Sequence, residues 1–416
     1  MNDERLPPSP TPSQKAGEIG PRTILHLDLD AFFCAVEELR DPSLSGKAFI
    51  VGGRAHERGV VSSASYPARK FGIRNAMPTS QAIRLCPGLI VVPHSHGTYS
   101  EYSRKVMVLL HDYGEALQQI SVDEAFLDVT GLSNDPRVLA LEIQARIRDE
   151  IQLPASIGVA TSKLVAKMAS GNAKPNGVLV IAPGKEAEFL APMRVGELWG
   201  IGKATEARLE QLGVNTIGDL QRATPAYLKR VFPNHAESVI ARAQGIDDSP
   251  VQTEREAKSI SEERTFSRDV TDATVLRKAL LQMSDDVAAR LRKHTLTSRT
   301  VHLKLRWHDF YTVTRQTTLP SATQLGDEIF AAVEPLWMAA WLERGSGNAI
   351  NTGRTRGDPI RLIGVGVSGF GEDGQIGLFD GDAREEKLSL AHTLDELQQR
   401  YGKQVVRRAS LINKKR

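Results

Sequence analysis

Two short acidic clusters offer the clearest chemistry in this chain of 416 residues. Asp28-Leu29-Asp30 closes an apolar run that begins at Ile24, and Asp123-Glu124 sits between Ile120-Ser121-Val122 and Ala125-Phe126-Leu127-Asp128. A carboxylate among apolar residues is costly to bury unless it is paired, protonated or bound to a cation, and several together repel one another. A hard divalent ion removes that repulsion, and carboxylate oxygens with retained water are the ligands Mg²⁺ prefers. The two clusters therefore predict a carboxylate metal site built from two strands far apart in sequence. That reading requires the oxygens of residues 28, 123 and 124 to meet within coordinating reach. Either cluster alone reads equally as a strand end whose acids face water.

The elements that must position these acids follow from periodicity and turn residues. A strand ending at Asp30 is followed by an irregular, Gly- and Pro-rich stretch from about Asp41 to Pro93. Next come a helix over Tyr99 to Tyr113, strands at Ile120 to Val122 and Phe126 to Val129, a helix over Val138 to Glu150, a strand at Ala155 to Ala160 and a helix from Ser162. Without the inserted stretch this is β-α-β-β-α-β, the order of a ferredoxin-like sheet with helices on one face. In that layout the first and second strands are expected to be neighbours, which brings the two acidic clusters together.

A different texture begins near Pro183, where short helical runs alternate with glycine turns. Trp199-Gly200-Ile201-Gly202-Lys203 has the form of a helix-hairpin-helix turn, whose backbone N–H groups at a helix N-terminus bind phosphate without reading bases; a glycine turn between packed helices reads the same way. Pro250 to Lys258 is polar and aperiodic, which marks a linker. Beyond it lie a strand at Ser259 to Phe266 and a helix with Leu276, Leu280, Met283, Val287 and Leu291 on one face. Strands at Thr300 to Trp307 and Tyr311 to Thr318, a helix from Thr323 to Trp341 and a strand at Ile360 to Phe370 complete a second β-α-β-β-α-β set. From Gly371 the chain is polar apart from Gln375 to Phe379 and a short helical run.

Composition narrows the class. With 41% hydrophobic residues, and no apolar run near the roughly 18 residues a bilayer span needs, the sequence predicts a globular protein outside the membrane. Residues 1–22 are rich in Pro and Ser and read as a disordered leader. Cys34 and Cys86 form no disulfide framework or zinc pattern, so a reducing cytoplasm is expected. The net charge of +3 from 53 basic and 50 acidic residues says little about nucleic acid. Its distribution says more: Val301, Leu303, Leu305 and Trp307 alternate with His302, Lys304 and Arg306, giving a strand with an apolar and a basic face. Such a face suits a phosphate backbone or a solvated sheet surface.

Several motifs in order carry a family likeness. Leu27-Asp28-Leu29-Asp30-Ala31-Phe32-Phe33, then Val60 to Gly72 with its Ser-Tyr-Pro-Ala-Arg core, then Ser121 to Asp128, resemble the Y-family DNA polymerases, specifically the bacterial DNA polymerase IV type. Ser156 to Ala160, Ala173-Lys174-Pro175-Asn176-Gly177, the glycine hairpin, Lys258-Ser259 and Glu263 to Phe266 extend the match over Ile24 to Phe370. The resemblance implies an α+β right-hand polymerase: a ferredoxin-like palm over residues 23–182 with inserted fingers at about 32–97, and a helical thumb with a helix-hairpin-helix at 183–249. A linker at 250–258, a separate β-α-β-β-α-β little finger at 259–370 and a tail at 371–416 follow. It implies error-prone translesion synthesis without proofreading, acting in DNA damage tolerance.

Residue by residue, the resemblance makes Asp28, Asp123 and Glu124 the catalytic carboxylates. With the Leu29 carbonyl they would hold two Mg²⁺. It makes Phe33 the steric gate against a ribose 2′-hydroxyl, and Tyr66, Arg69 and Lys174, with Ser63 as a weaker companion, contacts to the nucleotide triphosphate. Asp30 is expected only to support this set. Gly200, Gly202, Lys203, Lys304 and Arg306 would bind DNA, and Gln375, Leu378 and Phe379 in Gln-Ile-Gly-Leu-Phe would engage the sliding clamp (beta subunit). The implied partners are primer-template DNA, deoxynucleoside triphosphates and that clamp, for a monomeric enzyme. A non-catalytic scaffold would have lost the carboxylates. A nucleotide cyclase could share such a metal-binding core but would have no use for the hairpin, the basic strand or the clamp-like peptide.

Overall fold

The computed structural model describes residues 22–114, 116–132, 135–253, 256–345, 358–371, 381–402, 405–406 and 408–411. The expected leader up to residue 21, the clamp-like peptide at 375–379 and the stretch 346–357 fall outside them. The chain divides into two compact units, one from the chain up to Gly53 with Val60–Arg255, the other from Arg54–Gly59 and the chain from Glu256 onward.

The first unit runs β1 (Ile24–Leu29), α1 (Phe32–Arg40), β2 (Phe49–Gly52), β3 (Val61–Ala64), α2 (Tyr66–Lys70), α3 (Thr79–Leu85), β4 (Ile90–Val92), α4 (His96–His111), β5 (Leu117–Gln119), β6 (Glu124–Asp128), α5 (Pro136–Arg146), β7 (Ala155–Ala160), α6 (Lys163–Ala173) and β8 (Val178–Val180). Its main sheet has the order β5-β6-β1-β7-β8. β1 is buried at every residue and pairs antiparallel with both β6 and β7. A strand covered on both faces needs a continuous apolar run, which is why Ile24 to Leu29 could be read so directly.

Two expectations are corrected here. The neighbours of the first strand are the third and fourth of the β-α-β-β-α-β set, and the second, β5, lies at the edge. That second strand forms at Leu117–Gln119, and not at Ile120 to Val122. Residues 120 and 121 instead turn the chain, both amides donating to the Glu124 carbonyl. An edge strand tolerates Gln118 and Gln119, so its polarity concealed it. The acidic clusters still meet, because Glu124 heads β6, the strand that does pair with β1.

The stretch read as irregular contains a second small sheet, order β3-β2-β4, over a core of Ile50, Val61, Ala64, Ala68, Ile73, Ala82 and Cys86. Strands of three or four residues between glycines and prolines are too short to show periodicity. After β8 come α7 (Glu186–Leu190), α8 (Lys203–Gln211), α9 (Ile217–Arg222), α10 (Pro225–Leu228) and α11 (Ala236–Ala243). Leu209, Ile217, Leu220 and Val239 from these helices share a core with Leu164, Val165 and Ala169 of α6.

The second unit runs β9 (Ser259–Val270), α12 (Ala273–Lys293), β10 (Ser298–Trp307), β11 (Thr312–Thr323), α13 (Gly326–Gly345), β12 (Ile360–Phe370) and α14 (Gly381–Tyr401). Its sheet order is β11-β10-β12-β9, antiparallel throughout. Val301, Leu303, Leu305 and Trp307 are buried against the stripe Leu276, Leu280, Met283, Val287 and Leu291, as the two periodicities predict. Where a short helical run was expected in a polar tail, α14 is 21 residues long. It is fastened by charge: Asp395 accepts from Arg292 at 2.6 and 2.9 Å, and Arg384 pairs with Glu328 at 3.1 Å.

Candidate active site

Asp28 stands opposite Glu124 on β6 and Ser156 on β7, and directly opposed residues of antiparallel strands share one face of the sheet. The Leu29 amide donates to the Asp123 carbonyl at 2.9 Å, which pins the turn carrying Asp123 to the end of β1. All three acids thus lie at one end of the central strand pair. Among the described residues no three His, Cys, Asp or Glu side chains form a group that could hold an ion as they stand. Each carboxylate instead has its own partner. Asp28 is paired with Lys174 at 2.6 Å, Glu124 with Lys167 at 2.6 Å, and Asp123 accepts from the Ser121 hydroxyl at 2.5 Å.

Burial pushes the Asp28 carboxyl up to about 7; Lys174 pulls it back, while Glu124 and Asp123 push it further up. This is a carboxylate short of positive charge, and the available donors are carboxylate and carbonyl oxygens, the hard set that suits Mg²⁺. Two ammonium groups already lie against the acids, so the residues present fit a divalent cation.

Asp30 has a definite task. Buried, it accepts from the Tyr66 hydroxyl at 3.1 Å, the Ser156 hydroxyl at 2.8 Å and the Asn176 amide at 2.6 Å. One carboxylate thereby ties α2 and the turn after Lys174 to the end of β1. Ser65 caps α2 by accepting from the Ala68 amide, so the helix starts at Tyr66. The Arg69 guanidinium lies 5.0 Å from the centre of the Tyr66 ring and donates through Nε to the Ala64 carbonyl. Burial, then Asp30, raises the pKa of the Tyr66 phenol and keeps it a donor. Ser63 is buried and hydrogen-bonded to the Cys34 thiol, which burial pushes up to about 11.

Ala31 turns the chain from β1 into α1 with a left-handed φ of 45°, and Phe33 follows two residues later. Its ring stacks on Tyr99 at 4.3 Å, and the Tyr99 hydroxyl donates to Glu37 at 2.6 Å, so the ring is held from behind.

Sequence reading missed Lys167. A lysine on a helix is ordinary surface until its spacing is noticed: it precedes Lys174 by seven residues, two helical turns, which sets both on one side. The packing beneath them is close. A Cβ on Gly158 of β7 would lie 2.1 Å from the Ala166 carbonyl oxygen and 2.3 Å from the Ser170 amide nitrogen, so the backbone of α6 rests on the strand.

Of the expected DNA contacts, Gly200 takes φ +98°, Gly202 caps α8 and Lys203 is its first residue. Arg242 donates to the Trp199 carbonyl and fixes that turn. In the second unit Lys304 pairs with Glu263 at 2.8 Å and Arg306 donates to the Thr312 hydroxyl at 2.8 Å, so the basic face is partly neutralised from its own sheet.

With this geometry in place, comparison with known proteins defines the class. The model of the impB/mucB/samB family matches residues 27–171, its C-terminal domain residues 257–378, and the IMS family HHH motif residues 183–214. The chain belongs to this family, the Y-family DNA polymerases. It is similar to the DNA polymerase IV of Dehalococcoides mccartyi, 42% identical over 385 residues, 92% of this chain and 95% of that one. It is similar also to that of Desulfatibacillum aliphaticivorans, 40% identical over 396 residues, 94% and 96% of the two chains. Among solved structures it resembles a Y-family DNA polymerase chimera, Dbh-Dpo4(243-245)-Dbh, with TM-score 0.73, 25% identity and 83% and 98% of the chains covered. It also resembles an insertion ternary complex of Dbh DNA polymerase, with TM-score 0.58, 25% identity and the same coverage. Among the described residues no helix is long and apolar enough to cross a membrane.

Proposed function

We propose that this DNA-directed DNA polymerase of the translesion type adds deoxynucleotides to a primer 3′ end through the site built by Asp28, Asp123 and Glu124. The observation that carries the residue assignment is the sheet register that sets Asp28 against Glu124, with the Asp123 turn bonded to Leu29. With the Leu29 carbonyl these acids would hold two Mg²⁺, and the chemistry such ions supply is activation of the primer hydroxyl and stabilisation of the leaving pyrophosphate. The protein's own share is position and charge. Lys174, Arg69 and the Tyr66 hydroxyl neutralise and orient the triphosphate; Asp30 orders Tyr66 and the Lys174 turn for that task. Ser63, enclosed with Cys34, supports the strand beneath them. Primer extension by Asp123→Asn tests the assignment: activity at the level of the wild type would end it.

Phe33, backed by Tyr99, is proposed to close the space a ribose 2′-hydroxyl would need. Phe33→Ala is expected to admit CTP alongside dCTP, and unchanged discrimination would refute the gate. Gly200, Gly202 and Lys203 are proposed to bind a DNA phosphate at the start of α8, and Lys304 and Arg306 a phosphate from the outer face of β10. Gln375, Leu378 and Phe379 are proposed to engage a sliding clamp; Leu378→Ala with Phe379→Ala should abolish clamp-stimulated synthesis and spare synthesis without the clamp.

A further inference from the structure

Two of the three acids, Asp28 and Glu124, are paired with ammonium groups that must leave if a divalent cation is to enter. Lys174 has a destination, the incoming triphosphate. Lys167 faces Glu124 at 2.6 Å, and its ammonium lies 5.7 Å from the centre of the Trp199 ring. Trp199 is itself fastened, its carbonyl accepting from Arg242 and its ring 5.9 Å from that of Phe126, two residues beyond Glu124 on β6. A cation released from a carboxylate finds a weaker but real attraction on an indole face. The helix bearing Lys167 cannot drift, since α6 rests on Gly158, so the exchange is a rotation of one flexible side chain.

We propose that Lys167 is a positioning residue with two seats: Glu124 when the carboxylates hold no divalent ion, and the face of Trp199 when they do. The proposal rests on the assignment of Glu124 as a metal ligand. It makes Lys167 a competitor of the metal that also keeps Glu124 from swinging away. It also makes Trp199, the residue before the Gly200-Ile201-Gly202 turn, an optical reporter of metal occupancy.

The test is a titration of the full-length protein with MgCl₂ at constant ionic strength, without DNA or nucleotide, followed by tryptophan emission. The Trp199→Phe protein isolates the Trp199 share. Wild type is expected to show a saturable change that is absent from Trp199→Phe. Lys167→Met should lose the change and bind Mg²⁺ several-fold more tightly by calorimetry, because a competing charge is gone. Lys167→Arg should restore the competition. Far-ultraviolet circular dichroism checks that each variant is folded. Mg²⁺ affinity in Lys167→Met equal to or weaker than wild type overturns the proposal. So does a Trp199 signal that survives in that variant. Failure of the underlying reading looks different: Glu124→Gln would leave Mg²⁺ affinity and primer extension unaltered.

Discussion

The two large sheets of this molecule are written with the same succession of elements and wired differently. In the first unit's main sheet the first strand, β1, is central and bonded to the third and fourth of its set; in the second unit the first strand, β9, is an edge, bonded only to the fourth. Position decides use. The first of these, β1, is covered on both faces, so an acid at its end is poorly solvated and gains from a bound cation. In the second unit β10 buries one face and leaves the other, with His302, Lys304 and Arg306, partly exposed to solvent. An element order by itself predicts neither, since the register alone says which residues face each other.

The largest test of this contrast is charge removal at the buried end. Asp28→Asn or Asp123→Asn should lower primer extension on the order of 10³-fold, several kcal/mol of lost transition-state stabilisation, with circular dichroism unchanged. Lys304→Ala and Arg306→Ala should act on binding instead, each reducing the slope of log affinity against log salt by about 0.9 with little effect on kcat. If either of these abolished turnover, or if Asp123→Asn only weakened DNA binding, the division between the sheets would collapse.

Packing sharpens the comparison at smaller scale. Leu27 and Leu303 are both fully buried, each in its own core, so Leu27→Ala and Leu303→Ala should each cost about 2–5 kcal/mol. If the units melt separately, calorimetry should show each substitution lowering its own transition. A single shared transition lowered equally by both would instead mean that the units unfold as one.

Protons supply the finest test. Asp28 must lose its proton to accept a cation, and its carboxyl is pushed up to about 7. Half-saturating Mg²⁺ in primer extension should therefore rise as pH falls below that value, by up to about tenfold per unit, and level off above it.

What could be read from the sequence follows the same contrast. β7 and β12 were legible to the residue because central strands need unbroken apolar runs, and the carboxylates were legible because acids there are conspicuous. β5 was misplaced because its partner, not its own residues, sets its limits: Leu117 pairs with Leu127 while Gln118 and Gln119 carry no apolar signal. The β3-β2-β4 sheet escaped notice because its strands are shorter than one clear period. α14 was underestimated because it is held by Arg292 and Arg384 rather than by an apolar stripe. Lys167 was passed over because ion pairing to Glu124 depends on how far α6 stands from β7, a distance no spacing rule contains.

That distance is set by an atom the protein lacks. A single methyl group on Gly158 would collide with the main chain of α6. It would lift Lys167 off Glu124, although it touches neither lysine, carboxylate nor nucleotide. The proposed site thus depends on a residue with no reactive group, two positions along β7 from Ser156 and on the acids' own face of the sheet, where inspection of reactive groups alone would never look for it.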